Sequence, residues 1–507
     1  MSHRNRRLGL LVAGLLLLLG IGAIVEAHPR FVGLDLPRAG EPWAGGAPRF
    51  DPRSGQYDRS VLVKLEPSHP QGEIVFTTDG TVPTTTLGTR YRKPLILDAD
   101  YPALTVVRAR EVVNGVAGEV GHASYLVGLD APLPVVSLTA APADLWGEDH
   151  GILTHPWERG REWERPVHIT YLDASGEVGF EVEAGLRTHR IEPFDADKQS
   201  LRLYFRRSYG AARLSYPLFP VPTELGDRPD DIRLSYDRLL LQAGVQTEPW
   251  SMLRDQLIAD AVDALDLRAS PRRFVWLFIN GEPWGIYHLS ERIDRFFLEK
   301  TYGIDRVDVV QDGRSREGSD DGWDSLIDWV EAADLTDPAD YARLKRRIDL
   351  ENFTDFAVLQ LYFGTSGEAW FAAHPLGGRW FWLFGGETKT FASDVDAPIY
   401  QSWEASSDFA RILRALLANP DYRRYLADRA TAHLDTALAP DALEPRIDAW
   451  VEAVSPAIVH ETTRWPKPTS WESEVAYMRR YVRQRGPVMQ AQLETIRPSA
   501  GSVSDGP

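Results

Sequence analysis

The spacing of apolar residues changes character once along this chain, and that change constrains the fold more than any other feature. Between about residues 49 and 128 the pattern is one of short alternating segments broken by turn residues. These run over 61–65, 73–78 before Asp79-Gly80, 94–97, and 105–113 closing on Asn114-Gly115. Side chains alternate between faces along a strand, so this spacing, with no helical period, predicts a small β-sandwich. Ala131-Pro132-Leu133-Pro134 then forms a proline-bracketed hinge. Residues 133–300 mix strands (167–172, 201–205, 239–242, 274–279, 284–289) with one amphipathic helix at 253–265. From Asp324 onward apolar residues recur at helical spacing, over 326–333, 341–348, 353–362, 409–418, 422–437, 441–454 and 472–496. A strand-rich half followed by a helical half predicts an α+β architecture rather than alternating α/β units.

The N-terminus sets the compartment. Arg4, Arg6 and Arg7 precede an unbroken apolar run over 8–25 that exits through Val25-Glu26-Ala27. A positive region, an apolar core and a small-residue exit read as an export signal. The run is also just long enough to stay in the bilayer as an anchor. On either reading residues 1–27 serve export, and the positive-inside bias places all that follows outside the cytoplasm. Residues 28–47, rich in Pro, Gly and Ala, read as a linker, and 498–507 as a disordered tail. With 507 residues there is room for two or three domains. The chain has no cysteine, which excludes disulfide scaffolds, thiol catalysis and thiolate-bound metals. A formal charge of -17 argues against a nucleic-acid binder, which needs a cationic face.

Common catalytic signatures are absent. There is no G-x-x-x-x-G-K-[ST] phosphate loop, no strand-coupled G-x-G-x-x-G, no H-E-x-x-H and no G-x-S-x-G elbow. The histidines are scattered, His150 and His155 being the closest pair, and the acidic pairs Asp230-Asp231 and Asp320-Asp321 lack the ligand spacing of a calcium loop. Trp146, Trp157, Trp163 and Trp250 lie near turns, where a tryptophan can serve as a sugar-stacking platform.

Two stretches carry resemblances. The first is Ile74-Val75-Phe76-Thr77-Thr78-Asp79-Gly80-Thr81-Val82-Pro83, with Tyr91, Pro94 and Val106-Val107-Arg108-Ala109-Arg110 after it. It resembles the β-sandwich module at the C-terminus of chitobiases and β-hexosaminidases. Asp79-Gly80 supplies the tight turn and Pro83 stiffens its exit, so the local physics is complete without a ligand. The resemblance spans 48–128 and implies a non-catalytic spacer or binding module, with cell-wall glycan the ligand in the second case.

The other stretch begins at Leu133-Pro134-Val135-Val136-Ser137-Leu138 and includes Trp163-Glu164-Arg165-Pro166, Gly185-Leu186-Arg187, Lys198-Gln199-Ser200-Leu201-Arg202-Leu203-Tyr204-Phe205 and Leu253-Arg254-Asp255. It culminates in Phe278-Ile279-Asn280-Gly281-Glu282-Pro283-Trp284-Gly285-Ile286-Tyr287-His288-Leu289-Ser290-Glu291-Arg292-Ile293-Asp294. In this order residues 133–497 resemble the CotH family of spore-coat kinase-like proteins. The resemblance implies an atypical-kinase-like domain with a strand-rich first half and a helical second half, using ATP and Mg²⁺ on exported proteins. Phosphoryl transfer needs a cation on the nucleotide phosphates and carboxylates holding Mg²⁺. The match assigns Lys198 to the phosphates and Arg187 as a second cation, with Glu291 expected to orient Lys198. Gly281-Glu282 reads as a hairpin turn.

The chain departs from the family where the acids belong. After the 353–362 helix the family supplies a catalytic aspartate from an Asn-x-Asp-Trp type segment, and this chain has Gly364-Thr365-Ser366-Gly367-Glu368-Ala369-Trp370. After Gly377-Gly378-Arg379-Trp380 the family shows Trp-Asp-x-Asp, and this chain has Gly385-Gly386-Glu387-Thr388-Lys389. Glu368 is the remaining candidate catalytic acid, and Glu387, Asp394 and Asp396 are the candidate metal ligands. A glutamate's extra methylene displaces the oxygens that near-octahedral Mg²⁺ requires. The sequence therefore points to a degenerate, non-catalytic or nucleotide-binding protein of the cell envelope. The alternatives are an active ATP- and Mg²⁺-dependent kinase on exported proteins, if Asp394 and Asp396 take the metal position, or glycan binding through the β-sandwich.

Overall fold

In a computed structural model the described residues are 46–189, 198–219, 234–244, 251–364, 370–385, 394–399, 407–465 and 470–497. The expected export segment, all but the last two residues of the linker, and the C-terminal tail, with Glu368, Glu387 and Trp250, lie outside them. No helix of the described residues is long and apolar enough to cross a membrane.

The first module is a two-sheet sandwich. Arg49–Asp51, Val61–Glu66 and Leu95–Leu97 form one sheet, and Gly55–Tyr57, Val116–Val127, Ala103–Val113, Glu73–Thr77 and Thr89–Arg90 form the other, in those orders. Val61–Glu66 alternates strictly between buried and exposed residues, and its inward Val61, Val63 and Leu65 meet Ile74, Val107, Ala109, Ala123 and Tyr125 from the facing sheet. The long hairpin closes at Asn114 and Gly115, both at positive φ (51° and 81°), which a two-residue turn matched to strand twist demands. Its second strand, Val116–Val127, was not among the expected segments, because Gly118 and Gly121 interrupt its apolar alternation.

After the proline hinge the chain closes a seven-stranded barrel. Its order around the wall is Val135–Thr139, Arg165–Leu172, Val178–His189, Ser200–Tyr204, Arg238–Gln242, Glu282–Glu291 and Arg272–Ile279, which returns to Val135–Thr139 as the one parallel pairing in the barrel. Closure removes edge strands. Leu138, Ile169, Leu186, Leu203, Leu241, Leu277 and Tyr287 are among the side chains that fill its interior.

The C-terminal half combines helices with a second, five-stranded sheet: Arg268–Ala269, Phe381–Phe384, Trp370–Pro375, Val307–Gln311 and Arg314–Glu317. Two of its three inner strands, Phe381–Phe384 and Trp370–Pro375, were not expected among helices. They are four and six residues long and have no exposed residue, so they carry no alternation to betray them. The predicted helices are present, as Arg254–Ala264, Asp321–Ala332, Pro338–Arg347, Leu350–Phe363, Asp408–Ala418, Pro420–Leu434, Pro440–Arg464 and Trp471–Ile496. The helix expected to stop at 454, before Pro456, runs on to Arg464. Proline removes only one helical donor, and the residues beyond it, Ala457, Ile458 and Glu461, are buried against the barrel and its neighbours.

The sandwich is a docked module rather than a free spacer. Leu104, Val106 and Leu126 turn away from the sandwich's own core and join the large core that contains Leu133, Trp276 and Phe278. Ser124 Oγ lies 3.1 Å from both Ser137 Oγ and Thr170 Oγ1, and Ser54 Oγ donates to Glu181 Oε1 at 2.6 Å. Gly281, at φ 89°, brings the Asn280-Gly281 turn so close to the module that a Cβ there would stand 2.7 Å from the Leu104 carbonyl oxygen.

Candidate functional site

The candidate site is organised by one strand motif. The Arg272–Ile279 and Glu282–Glu291 strands are joined in a hairpin by the two-residue Asn280-Gly281 turn, one residue before the expected Gly281-Glu282, because Glu282 already pairs with Ile279. The register slips beside Trp284, and Gly285 follows at φ 119°. A Cβ on Gly285 would lie 2.4 Å from Glu461 Oε2. The glycine of the motif therefore leaves room for a carboxylate arriving from the Pro440–Arg464 helix.

Glu461 meets Lys198 there. Lys198 Nζ donates to Glu461 Oε1 at 2.9 Å, to Glu461 Oε2 at 3.0 Å and to the Ile286 carbonyl at 2.7 Å, with the Tyr287 ring 4.6 Å away. An ammonium has three donors, so these contacts occupy all of them. Glu461 Oε2 also accepts from the Ile286 amide at 2.8 Å. Both side chains are almost fully buried, at 0% and 1% exposure. Lys198 lies just before the Ser200–Tyr204 strand and Glu461 on the Pro440–Arg464 helix, and protein kinases pair a strand lysine with a helical glutamate.

Glu291 was expected to orient Lys198, and here the sequence reading is corrected. Glu291 stands at the far end of its strand, opposite Leu239, and its Oε2 lies 2.5 Å from Lys300 Nζ of the Arg295–Tyr302 helix. Lys300 is stacked 4.0 Å over the Tyr236 ring. Burial pushes the Glu291 carboxyl up to about 7, against the pull of Lys300, with Asp294 and Asp237 adding to the rise. Asp294 caps the same helix by accepting from the Phe297 amide.

Arg187 is on the Val178–His189 strand, paired in register with Arg202. It donates to the Gly160 carbonyl at 2.8 Å and to the Tyr204 hydroxyl at 2.6 Å. Arg202 holds His189 Nδ1 at 2.6 Å, and Arg206 binds Glu164 through two bonds. The three residues assigned to nucleotide, Arg187, Lys198 and Glu291, thus each have separate protein partners.

Asp394 and Asp396 belong to a described segment, 394–399, that Arg485 clamps. The Arg485 guanidinium donates to the Val395 and Ala397 carbonyls, both at 2.8 Å, and to those of Leu361 and Tyr362 at 2.7 and 3.0 Å. One buried side chain thus fixes the acidic segment to the end of the Leu350–Phe363 helix, just before Glu368. Among the described residues neither aspartate joins a third His, Asp or Glu in a cluster able to hold a metal.

Two exposed tryptophans, Trp146 and Trp157, lie on the barrel domain, as does half-buried Trp163, and the described part of the sandwich contains no tryptophan. The sequence reading named Lys198 but missed Glu461, Arg485 and Lys300. Their signal lay in three-dimensional pairing, apart from the glycine spacing that makes room for Glu461.

Comparison with known families agrees with this geometry. The CotH kinase protein family matches residues 197–489, more than half of the chain. The chain belongs to that family. The CotH domain is preceded by a match to the chitobiase/beta-hexosaminidase C-terminal domain at residues 52–120. No curated protein matches the chain.

Proposed function

We propose that this CotH-family chain is an exported, non-catalytic assembly protein of the cell envelope, in which the kinase-type lysine–glutamate pair is retained as a structural lock. The observation that carries this reading is the bond from Lys198 Nζ to the buried Ile286 carbonyl at 2.7 Å, which takes the ammonium donor that Glu461 leaves over. A phosphate would have to displace one of these buried acceptors before Lys198 could reach it. The sequence adds that neither aspartate expected for catalysis and metal binding stands at its family position. The test is transfer of labelled phosphate from Mg²⁺-ATP to the protein itself or to a general acceptor, together with a thermal-shift titration. The expected result is no transfer and no ATP-induced shift that depends on Lys198.

A second reading, an active ATP- and Mg²⁺-dependent kinase on exported proteins, is favoured by the Arg485 clamp, which holds Asp394 and Asp396 in a defined place. Phosphate transfer that disappears in Asp394→Ala would establish it and overturn the first.

A further inference from the structure

Two histidines stack face to face across the boundary between the sandwich and the barrel. His122 comes from the sandwich strand Val116–Val127 and His168 from the barrel strand Arg165–Leu172. Their ring centroids are 4.2 Å apart and their planes 9° from parallel. A neutral imidazole has one donor and one acceptor, so the contacts around each ring say where its proton sits. His168 Nδ1 donates to Glu183 Oε1 at 2.7 Å, and its Nε2 is buried and faces Glu181 Oε1 at 3.9 Å. His122 Nδ1 accepts from Arg108 Nε at 3.4 Å, which leaves the proton on Nε2, 3.4 Å from the same Glu183 oxygen. Arg108 is anchored in turn, its Nη1 donating to the Gly80 carbonyl at 2.6 Å.

We propose that this stacked pair is an acid-released latch, in which protonation of His122 weakens the docking of the β-sandwich on the CotH domain. The two rings differ in what a second proton would meet. On His168 it goes to Nε2 and faces Glu181, a carboxylate already held by Ser54 Oγ at 2.6 Å and Thr170 Oγ1 at 3.3 Å. On His122 it has to go to Nδ1, the atom that accepts from Arg108. Two donors would then point at each other and two cations would touch, with the His168 ring stacked on the other side. Burial, with His168 and Arg108 adding to it, accordingly holds His122 well below the ordinary histidine range. Burial also opposes charge on His168, but Glu181 and Glu183 outweigh it and raise that ring.

The other charged groups at this boundary, Asp79 and Arg110 of the sandwich and Asp144 of the Pro142–Trp146 helix, bear on Arg108. When the faces part, His122 and Arg108 leave with the sandwich, while His168, Glu181 and Glu183 stay on the barrel. Water then reaches the His122 ring, Arg108 can turn aside, and the ring regains an ordinary affinity for protons. Below the ordinary histidine pKa of about 6.5 the separated state thus binds a proton that the docked state refuses, and the equilibrium moves toward separation by up to about tenfold per pH unit as pH falls. His168 keeps both glutamates in either state, so its own proton does not oppose this. What the latch works against is the contact of Leu104, Val106 and Leu126 with the core of Trp276 and Phe278, which has no titratable group of its own. The inference holds whether or not the CotH domain transfers phosphate.

The chain has no cysteine, so a pair introduced as Leu62→Cys and Trp157→Cys, at exposed positions of the sandwich and the barrel domain, can carry two dyes in the full-length protein. Energy transfer between them and far-UV circular dichroism are followed in urea from pH 7.5 to 5. At pH 7.5 dye separation and loss of secondary structure should coincide; at pH 5 the dyes should separate at lower urea. Between pH 6.5 and 5.5 the equilibrium constant for separation should rise up to about tenfold, and by less than twofold when His122→Gln is added. The same pH response with and without His122→Gln, or coincident transitions at pH 5, overturns the proposal. Should the His122→Gln variant not fold, NMR of the ring nitrogens in the wild-type protein decides. A neutral His122 protonated on Nε2 at pH 5.5, beside a charged His168, supports the latch, and a His122 that takes its second proton near pH 6.5 in the docked protein overturns it.

Discussion

Lys198 and Glu461 stand 263 positions apart and face each other with both carboxylate oxygens within 3.0 Å of one ammonium, fully inside the protein. The pair joins the start of a barrel strand to the helix that packs across the barrel. Breaking a buried pair from one side strands the other charge, which costs about 3–5 kcal/mol. Lys198→Met and Glu461→Gln should therefore each destabilise by about that amount in chemical denaturation. The double replacement Lys198→Met/Glu461→Leu should recover most of the loss, because no charge is left buried. Gly285→Ala should act like the single variants, since its methyl would enter the space of Glu461 Oε2. Equal losses in the single and double variants would show that the pair is not a structural lock.

Arg485 places the acidic segment, and its removal should be felt there first. The guanidinium serves four carbonyls at two separate backbone segments, a geometry that lysine cannot reproduce with one ammonium. Hydrogen bonds to a charged group contribute about 1.5–3 kcal/mol each. Arg485→Lys should lower stability by about 3 kcal/mol and speed hydrogen exchange at the Ala397 and Ile399 amides. These amides bond to the Asp394 carbonyl and to Gln492 Oε1. The sandwich amides should be unchanged. Uniformly faster exchange would mean that Arg485 supports the whole domain rather than this segment.

These two clusters show what sequence can and cannot supply. The alternation at 61–65 and the helical spacing after 324 are local patterns, and they returned the sandwich strand Val61–Glu66 and the helices with ends mostly within a few residues. Lys198 was found through a motif, but its partner was not. Glu461 lies beyond Pro456, where a local rule ends the helix and tertiary packing carries it on. Glu291 was assigned to Lys198 because both belong to one motif set. A barrel's register decides which charges meet, and it places Glu291 at the other end from the bulge at Trp284. The stacking of His122 on His168, with ring centroids 4.2 Å apart, was invisible for the same reason, since two strands of different modules bring the rings together.

The Glu291–Lys300 pair gives stability a definite pH dependence. The Glu291 carboxyl is raised by burial from its ordinary 4.5 to about 7 in the folded protein. Between those values the unfolded chain has lost a proton that the folded protein keeps. The contribution of Glu291 is therefore full below pH 4.5, falls by about 1.4 kcal/mol per pH unit as pH rises through this window, and levels off above pH 7. Glu291→Gln should remove this slope. Comparing the denaturation free energies of wild type and variant from pH 4.5 to 8 checks it, and parallel curves would refute it.

Gly80, at φ 81°, brings its turn so close to the hairpin that a Cβ would fall 2.3 Å from the Asn280 side chain. Asn280 itself accepts from the Ala140 amide at 2.9 Å and so ties the hairpin to the barrel wall. With Leu104, Val106 and Leu126 in a core shared with Trp276 and Phe278, neither surface is suited to exposure alone. Calorimetry of the intact protein should show the sandwich and the barrel melting in one transition. Gly80→Ala combines a strained backbone with a clash, and should split that transition or raise proteolytic cleavage near the 131–134 hinge. Two separate transitions in the wild-type protein would mean that the shared core does not couple the modules, and that the sandwich acts as an independent unit after all.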